Sequence, residues 1–318
     1  MRLSAIVVTV LWLCGTGLVS AQGRGGATQP PPAETVTPEI AGVVAAGTKV
    51  VPIKDDVQNA QGAIAAPDGS LLFTERVLNR ITKLDPAGNF STYLENTDAT
   101  NSFTIDRMGR LIVVQYTPPQ LAVLAPTRRV LADNFEGQKF GRPNDLVVDS
   151  KGGVYFTDDM APPPGKNAVY YVNPAGQILK ITDRMGRPNG VQLSPDEKVL
   201  YVADPIGEHV MAFDVQPDGT VRNQREFARL EGVTRAETGV TSGADGIAVD
   251  AAGRLYVSSR IGIQVFSPQG QHLGTIPVSR TIQNLAFAGP DKKTLYLMGS
   301  GALYKIDMLA EGYKGRPK

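Results

Sequence analysis

The sequence has 318 residues, of which 42% are hydrophobic, so a large packed core is feasible. Its 32 basic and 31 acidic residues are spread along the chain and leave a net charge of +1. Because no basic cluster is interleaved with aromatic residues, the composition argues against a nucleic-acid partner. The length alone would suggest two domains, but all-β architectures of this size often form a single unit.

The first residues predict a cleavable signal peptide. Arg2 supplies a positive charge, an apolar run extends from Ala5 to Leu13, and small residues lead to a cleavage position after Ala21. The apolar run is short for a transmembrane helix, although a retained membrane anchor is the alternative. We therefore expect a signal peptide over residues 1–21, a periplasmic or secreted protein, and no membrane association after cleavage.

The segment after the signal peptide predicts a flexible leader. Residues 22–40 are rich in Gly, Pro, Gln and Ala and include Pro30-Pro31-Pro32. Cys14 is the only cysteine and lies in the predicted signal peptide, so the mature chain is expected to have no disulfide. The folded domain is expected to occupy residues 41–318.

Beyond the leader, one strand–turn–strand pattern recurs six times. In each copy an apolar strand enters a turn rich in Pro, Asp or Gly, and a strand rich in Leu, Tyr, Phe and Val follows. Successive copies start 40, 43, 45, 56 and 38 residues apart, which is the period of a propeller blade. The pattern predicts an all-β, six-bladed propeller, since an open β-sandwich would explain neither the count nor the spacing. The copies start at Gly62, Ser102, Asp145, Gly190, Gly246 and Asn284.

The residue before each copy carries a side-chain oxygen. Because the first strand of a propeller blade lines the central channel, these six side chains should converge at one mouth of the channel. Carboxylate and amide oxygens without sulfur or imidazole suit Ca²⁺. The alternative is that they only solvate a water-filled channel or make hydrogen bonds in turns. The six residues, called the polar ring below, are Gln61, Asn101, Asn144, Asn189, Asp245 and Gln283.

The second strand of each copy runs back toward the same face, so its last residues should lie near the polar ring. They include Glu75, Gln115, Asp158 and Asp204. The segment 231–244 accounts for the 56-residue spacing and lies on this face too. An insertion there fits a substrate lid, with a neutral surface insertion as the alternative.

Three segments resemble the gluconolactonase, senescence-marker-protein and luciferin-regenerating-enzyme family, which includes regucalcin. The resemblance covers roughly residues 55–308 in order and spacing. It implies a six-bladed propeller with one divalent metal, often Ca²⁺, at the channel mouth, and hydrolysis of lactones such as gluconolactone. The segments are Gly141-Arg142-Pro143-Asn144-Asp145, Arg187-Pro188-Asn189-Gly190 with Ser194-Pro195-Asp196, and Ala244-Asp245-Gly246.

The resemblance also implies roles for individual residues. The metal ligands would be Gln61, Asn144, Asn189 and Asp245. Arg142 would orient substrate oxygens, and Asp245 would assist the attacking water. We count Asn144 and Asp158 as further substrate-binding candidates.

One of these positions departs from the family pattern. The first ligand of the family is usually glutamate in a Glu-Gly-Pro sequence, and here the sequence is Gln61-Gly62-Ala63. Glutamine keeps an oxygen but loses a charge, and Ca²⁺ affinity follows ligand charge. We therefore expect weak Ca²⁺ binding. The alternatives are that Glu75 or Asp204 supplies the missing charge, or that the activity differs from that of the family.

Together these features predict a metal-dependent hydrolase acting on a lactone. A serine nucleophile has little support, because there is no Gly-x-Ser-x-Gly sequence and neither His209 nor His272 neighbours an obvious serine nucleophile. Two alternatives stay open at this point. One is hydrolysis of a phosphotriester or another ester in the same site, and the other is a non-catalytic periplasmic propeller that binds a sugar or a protein.

Overall fold

The computed structural model describes residues 31–57, 59–160 and 167–318. The predicted signal peptide and residues 22–30 of the predicted leader lie outside these ranges. Pro32–Lys318 form one compact unit. Within the described ranges the only helical element is a single 3₁₀ turn, Arg76–Leu78. No helix in the described part of the chain is long and apolar enough to cross a bilayer.

The strands are numbered in chain order. They are β1 (Thr35–Val36), β2 (Lys49–Asp55), β3 (Ala60–Ala65), β4 (Leu71–Glu75), β5 (Arg80–Leu84), β6 (Phe90–Glu95), β7 (Thr100–Ile105), β8 (Leu111–Tyr116), β9 (Pro119–Ala125), β10 (Arg129–Ala132), β11 (Asn134–Phe135), β12 (Gln138–Lys139), β13 (Pro143–Val148), β14 (Val154–Asp158), β15 (Ala168–Val172), β16 (Ile178–Thr182), β17 (Val191–Leu193), β18 (Val199–Val202), β19 (His209–Val215), β20 (Val221–Arg229), β21 (Thr234–Ala236), β22 (Gly239–Thr241), β23 (Ile247–Val249), β24 (Leu255–Ser259), β25 (Gly262–Phe266), β26 (His272–Ile276), β27 (Asn284–Ala288), β28 (Thr294–Gly299) and β29 (Ala302–Asp307).

Five of the six blades are antiparallel four-stranded meanders of consecutive strands. They are β3–β6, β7–β10, β13–β16, β17–β20 and β23–β26. Each predicted copy supplies the first two strands of a blade. The first strand of every blade contacts that of the next, and β27 contacts β3, so the ring of inner strands is closed. The prediction of a six-bladed β-propeller is confirmed.

The turns between the first two strands of a blade lie on the face opposite the polar ring and are built by aspartates. Asp149 Oδ1 accepts hydrogen bonds from the backbone N–H groups of Lys151 and Gly153 at 2.9 and 2.8 Å. Gly152 has a φ of 90°, a left-handed conformation that glycine adopts without strain. Asp106 and Asp250 accept equivalent backbone hydrogen bonds, so blades two, three and five share one Asp-x-x-Gly turn.

The sixth blade is assembled from both ends of the described chain. Its inner three strands are β27, β28 and β29, and β2 pairs antiparallel with β29, with Val51 opposite Lys305. β1 adds a fifth strand at the outer edge by pairing with β2. Because β2 is covered on both sides, the sheet is not left with β29 as an open edge.

The predicted boundary of the leader at residue 40 is corrected by this arrangement. Thr35 and Val36 already lie in the sheet, and Ile40 is buried in the apolar core of the sixth blade. The propeller therefore begins before residue 41, since the outer strands of blade six need this segment as a partner.

The far end of the channel is crossed by residues 313–318, which we call the C-terminal segment. The carbonyl of Pro317 accepts a hydrogen bond from the N–H of Ala65 in blade one at 2.8 Å. Arg316 donates to the carbonyl of Ser194 in blade four at 3.0 Å. Lys318 forms an ion pair with Asp145 of β13, and both side chains are buried. The segment thus links three blades from inside the ring.

The segment 231–244 forms the β21–β22 hairpin. Ser242 follows the hairpin, and its N–H donates to the carbonyl of Pro205 at 2.9 Å. The hairpin therefore joins blade four on the face that carries the polar ring, which is where a lid would have to lie. Its role as a lid stays a prediction.

Candidate active site

Backbone contacts hold the polar ring residues of neighbouring blades at one level. Asn101 donates through Nδ2 to the carbonyl of Asn144 at 2.9 Å, and Thr157 donates to the carbonyl of Asn189 at 2.7 Å. The N–H of Gly246 donates to the carbonyl of Gln283 at 2.9 Å. These contacts join blade two to three, blade three to four and blade five to six at the positions of the polar ring.

Glycine follows the ring residue in blades one, four and five, and packing explains why. A Cβ on Gly190 would lie 2.1 Å from the carbonyl oxygen of Asp245, and one on Gly62 would lie 2.6 Å from Cα of Ser102. Both distances are too short for any side chain. Glycine therefore lets adjacent inner strands approach closely enough to bring their ring residues together.

The sequence Gly-Arg-Pro-Asn occurs twice, and both copies are held in the same way. At the end of the second strand in blade three, Asp158 accepts hydrogen bonds from the backbone N–H groups of Gly141 and Arg142 at 2.9 and 2.6 Å. In blade four, Asp204 accepts from Gly186 and Arg187 at 2.9 and 3.2 Å. Each aspartate fixes the backbone that leads into a ring asparagine.

These contacts bear on two expectations from the sequence. Asp158 was predicted to bind substrate, but its side chain is buried and its oxygens face the 141–142 backbone, so its contacts favour positioning over direct binding. Burial is also the main cause that raises the pKa of Asp158. Asp204 and Glu75 were considered as sources of an extra charge for the metal. Asp204 holds the 186–187 backbone, and Glu75 accepts from Arg80 at 2.6 Å, so both are already engaged by other groups.

The carboxylate that joins the predicted site residues is Asp159, which the sequence analysis did not identify. Arg142 donates to it through Nε and Nη2 at 2.7 and 2.6 Å, and Arg187 donates through Nε at 3.1 Å. Asn144 adds a hydrogen bond from Nδ2 at 3.2 Å. Because Asp159 follows Asp158 at the end of a strand, strand alternation turns one toward the backbone and the other toward the mouth. The two consecutive aspartates at the end of this strand were the feature of the sequence that could have identified Asp159.

Asp245 lies in an environment that disfavours its charge. Burial is the main cause that raises the pKa of its carboxyl group to about 7, the charge of Asp145 is the next, and Asp159 adds to the effect. The positive charges of Arg187 and Lys318 act in the opposite direction. A cation beside Asp245 would stabilise the ionised form, because an opposite charge favours it.

Other residues of the polar ring also favour a bound cation. Asn101 Oδ1 and Asn189 Oδ1 are buried and have no hydrogen-bond partner. Buried polar atoms are normally paired, so the unpaired Oδ1 of Asn189, one of the predicted ligands, fits a hard cation such as Ca²⁺. No group of three or more His, Cys, Asp or Glu suited to a metal occurs among the described residues. Any site here would therefore depend on amide oxygens.

The predicted ligands are not equally engaged in the structure. Asn144 and Asn189 are buried. Gln61 and Asp245 keep part of their surface accessible to solvent, although protein atoms surround the Asp245 carboxyl group closely enough to raise its pKa. The backbone N–H of Gln61 donates to Thr74 Oγ1 at 3.2 Å, which fixes the start of the inner strand in blade one. The assignment of these four residues as metal ligands stays a prediction.

A family model described as SMP-30/Gluconolactonase/LRE-like region matches residues 60–300. The chain belongs to this family. The resemblance read from the sequence is therefore confirmed, and the match covers the first five blades and the first two strands of the sixth.

Individual relatives agree with this membership. The chain is 26% identical over 304 residues to a gluconolactonase of Zymomonas mobilis, covering 85% of this chain and 84% of that protein. It is 27% identical over 248 residues to the lactonase drp35 of Staphylococcus haemolyticus, covering 70% and 71%.

Solved structures give the same result. A gluconolactonase from Xanthomonas campestris superposes with a TM-score of 0.74 at 25% identity, covering 88% of this chain and 96% of that one. Regucalcin from Agrobacterium tumefaciens, described as a calcium-binding protein, superposes with a TM-score of 0.65 at 16% identity, covering 83% and 97%. At that identity the second likeness shows the fold alone.

Proposed function

We propose that this protein is a Ca²⁺-dependent hydrolase of sugar lactones that acts at the polar ring. The enzyme class follows from the family and from its curated relatives, which are named gluconolactonase, lactonohydrolase and lactonase, so the chain is a lactone-hydrolysing enzyme. The observation that supports the metal is the unpaired, buried Oδ1 of Asn189 together with Asp245, the second ring ligand, whose carboxyl pKa is raised by burial.

Four ring residues would hold the cation. They are Gln61, Asn144, Asn189 and Asp245. When bound, Ca²⁺ supplies Lewis acidity that polarises the lactone carbonyl and stabilises charge on its oxygen. Because three of the four ligands are neutral, the charge of Asp245 contributes most of the attraction.

Arg142 would orient the substrate. Its guanidinium is held by two hydrogen bonds to Asp159, so little side-chain freedom is lost when substrate binds. Its Nη1 makes no hydrogen bond to any described residue and can donate to a substrate hydroxyl or ring oxygen. The ion pair with Asp159 also raises the pKa of Arg142, so that it stays charged throughout the pH range of the protein.

Asp245 would position the attacking water. Beside a bound cation its carboxylate is ionised and therefore a weak base, so it accepts a hydrogen bond from water more than it removes the proton. Lactones are activated esters and need less help than amides, so this arrangement is chemically sufficient.

A pH-drop assay with glucono-1,5-lactone tests the proposal. We expect acid release above the spontaneous rate, its loss when a chelator is added, and its return with excess Ca²⁺. Circular dichroism in chelator should show an intact fold, so that lost activity reports on the site. Absence of acid release from a panel of neutral and charged lactones would contradict the proposal and favour a binding protein.

We also propose that the protein is exported, based on the predicted signal peptide of residues 1–21. Expression of the full chain followed by fractionation and N-terminal sequencing tests this. The mature protein should begin at Gln22 and be found in the periplasm or the medium. A cytoplasmic protein that keeps Met1 would contradict export.

A further inference from the structure

Two arginine side chains are exposed at the channel mouth, whereas among the site carboxylates described above only Asp245 is partly exposed. The side chains of Arg142 and Arg187 are 28% and 39% exposed, whereas Asp159 between them has 0% exposure. Asp158 and Asp204 are also buried and face backbone N–H groups. A ligand entering the mouth therefore meets guanidinium groups before it meets these carboxylates.

A third guanidinium extends this surface to blade one. Arg76 lies 4.9 Å from the ring centroid of Tyr116, and Arg142 lies 5.7 Å from the same centroid. Nε of Arg76 is buried and has no hydrogen-bond partner. Together with Arg187, these residues form a continuous row over blades one to four, which we call the arginine row: Arg76, Tyr116, Arg142 and Arg187.

Several N–H groups of the arginine row make no hydrogen bond to any described residue. Arg187 contacts Asp159 through Nε alone, and its two terminal nitrogens make no hydrogen bond to any described residue. Arg142 likewise leaves Nη1 without a described partner. Planar, paired N–H donors of this kind match the oxygens of a carboxylate or a phosphate better than they match single hydroxyls.

We propose that the substrate is a lactone that carries a second, oxyanionic group, a carboxylate or a phosphate, which Arg187 and Arg142 bind. The proposal rests on the lactone hydrolysis proposed above and narrows its substrate class.

Three lactones distinguish the substrate classes. Glucono-1,5-lactone is neutral, 6-phosphoglucono-1,5-lactone carries a phosphate, and glucaro-1,4-lactone carries a carboxylate. We expect kcat/KM to be at least about tenfold higher for one anionic lactone than for the neutral one, the size of a charge-assisted hydrogen bond. The preference should shrink when the salt concentration is raised, because exposed charges are screened.

Substitution of Arg187 tests whether the arginine row causes the preference for anionic lactones. In Arg187→Gln the kcat/KM for the anionic lactone should fall at least tenfold, and the fall for the neutral lactone should be clearly smaller. Arg225→Gln is the matched control, because Arg225 is an exposed arginine on the outer strand of blade four and pairs with Asp214. It should leave the preference unchanged.

Binding without turnover separates this inference from the proposed function. In chelator, calorimetry should show tighter binding of glucarate, a dianion, than of gluconate, and Arg187→Gln should abolish the difference. Equal kcat/KM for neutral and anionic lactones would overturn the inference and leave lactone hydrolysis intact. Tight dianion binding without turnover of any lactone would instead support the anion site and overturn the hydrolase.

Discussion

Asp245 is the only carboxylate among the four proposed cation ligands, so its charge has a large effect on the site. Asp245→Asn keeps the size of the side chain and removes the charge. We expect this variant to lose most of the lactonase activity while its melting temperature stays within a few degrees of the wild type. Retention of most of the wild-type kcat would remove Asp245 from the mechanism.

The raised pKa of Asp245 also predicts a pH dependence of stability. Its pKa rises from 3.8 to about 7, mainly through burial, so between these values the folded protein keeps a proton that the unfolded chain has lost. The free energy of unfolding of the metal-free protein should therefore fall as pH rises from about 4 to about 7. Urea melts in chelator at several pH values measure this. In Asp245→Asn the fall should be smaller, and an identical pH profile would contradict the assignment.

Gln61 determines how much charge the ring offers to a cation. Gln61→Glu adds a second carboxylate and should tighten Ca²⁺ binding by about tenfold or more, because affinity follows ligand charge. Isothermal titration with CaCl₂ on the mature protein and on the variant measures the change. Equal affinities would show that Gln61 is not a ligand.

At the scale of the elements, two second-strand aspartates hold the loops that carry the site arginines. In Asp204→Asn the new amide would place a donor near the N–H groups of Gly186 and Arg187. Leaving a buried group unsatisfied costs about 1–3 kcal/mol, so we expect a lower melting temperature and a reduced kcat/KM. Asp196→Asn is the control, since Asp196 lies in an exposed turn of the same blade. Similar losses of kcat/KM in Asp204→Asn and Asp196→Asn would show that the hydrogen bonds of Asp204 to the 186–187 backbone have no specific effect on the site.

The elements show what the sequence could and could not predict. The repeat and the polar ring follow from local patterns, and the structure confirms the propeller that the repeat predicts. Asp159 was missed because the directions of the Asp158 and Asp159 side chains depend on where β14 ends. The sequence does not show the end of a strand. β2 was missed because its partner, β29, is roughly 250 residues away.

At the scale of the whole molecule, the C-terminal segment ties the ring from within. Lys318 and Asp145 are a buried ion pair, and removing one partner of such a pair costs about 3–5 kcal/mol. Lys318→Met should therefore lower the free energy of unfolding by about that amount, as measured in urea. The double variant Lys318→Met with Asp145→Asn should recover part of the loss. Fully additive effects would show that the two residues are not coupled.

The pairing of β2 with β29 has a consequence for the kinetics of folding. The five meander blades need only neighbouring strands, so each can form as soon as its own residues are available. The sixth blade must wait until residues near Lys49 and near Asp307 are both present. Contacts between such distant segments form slowly, because a long loop has to close first. Until then the inner three strands of the sixth blade expose an open edge, so ring closure is the stage at which a folding chain is most prone to aggregate.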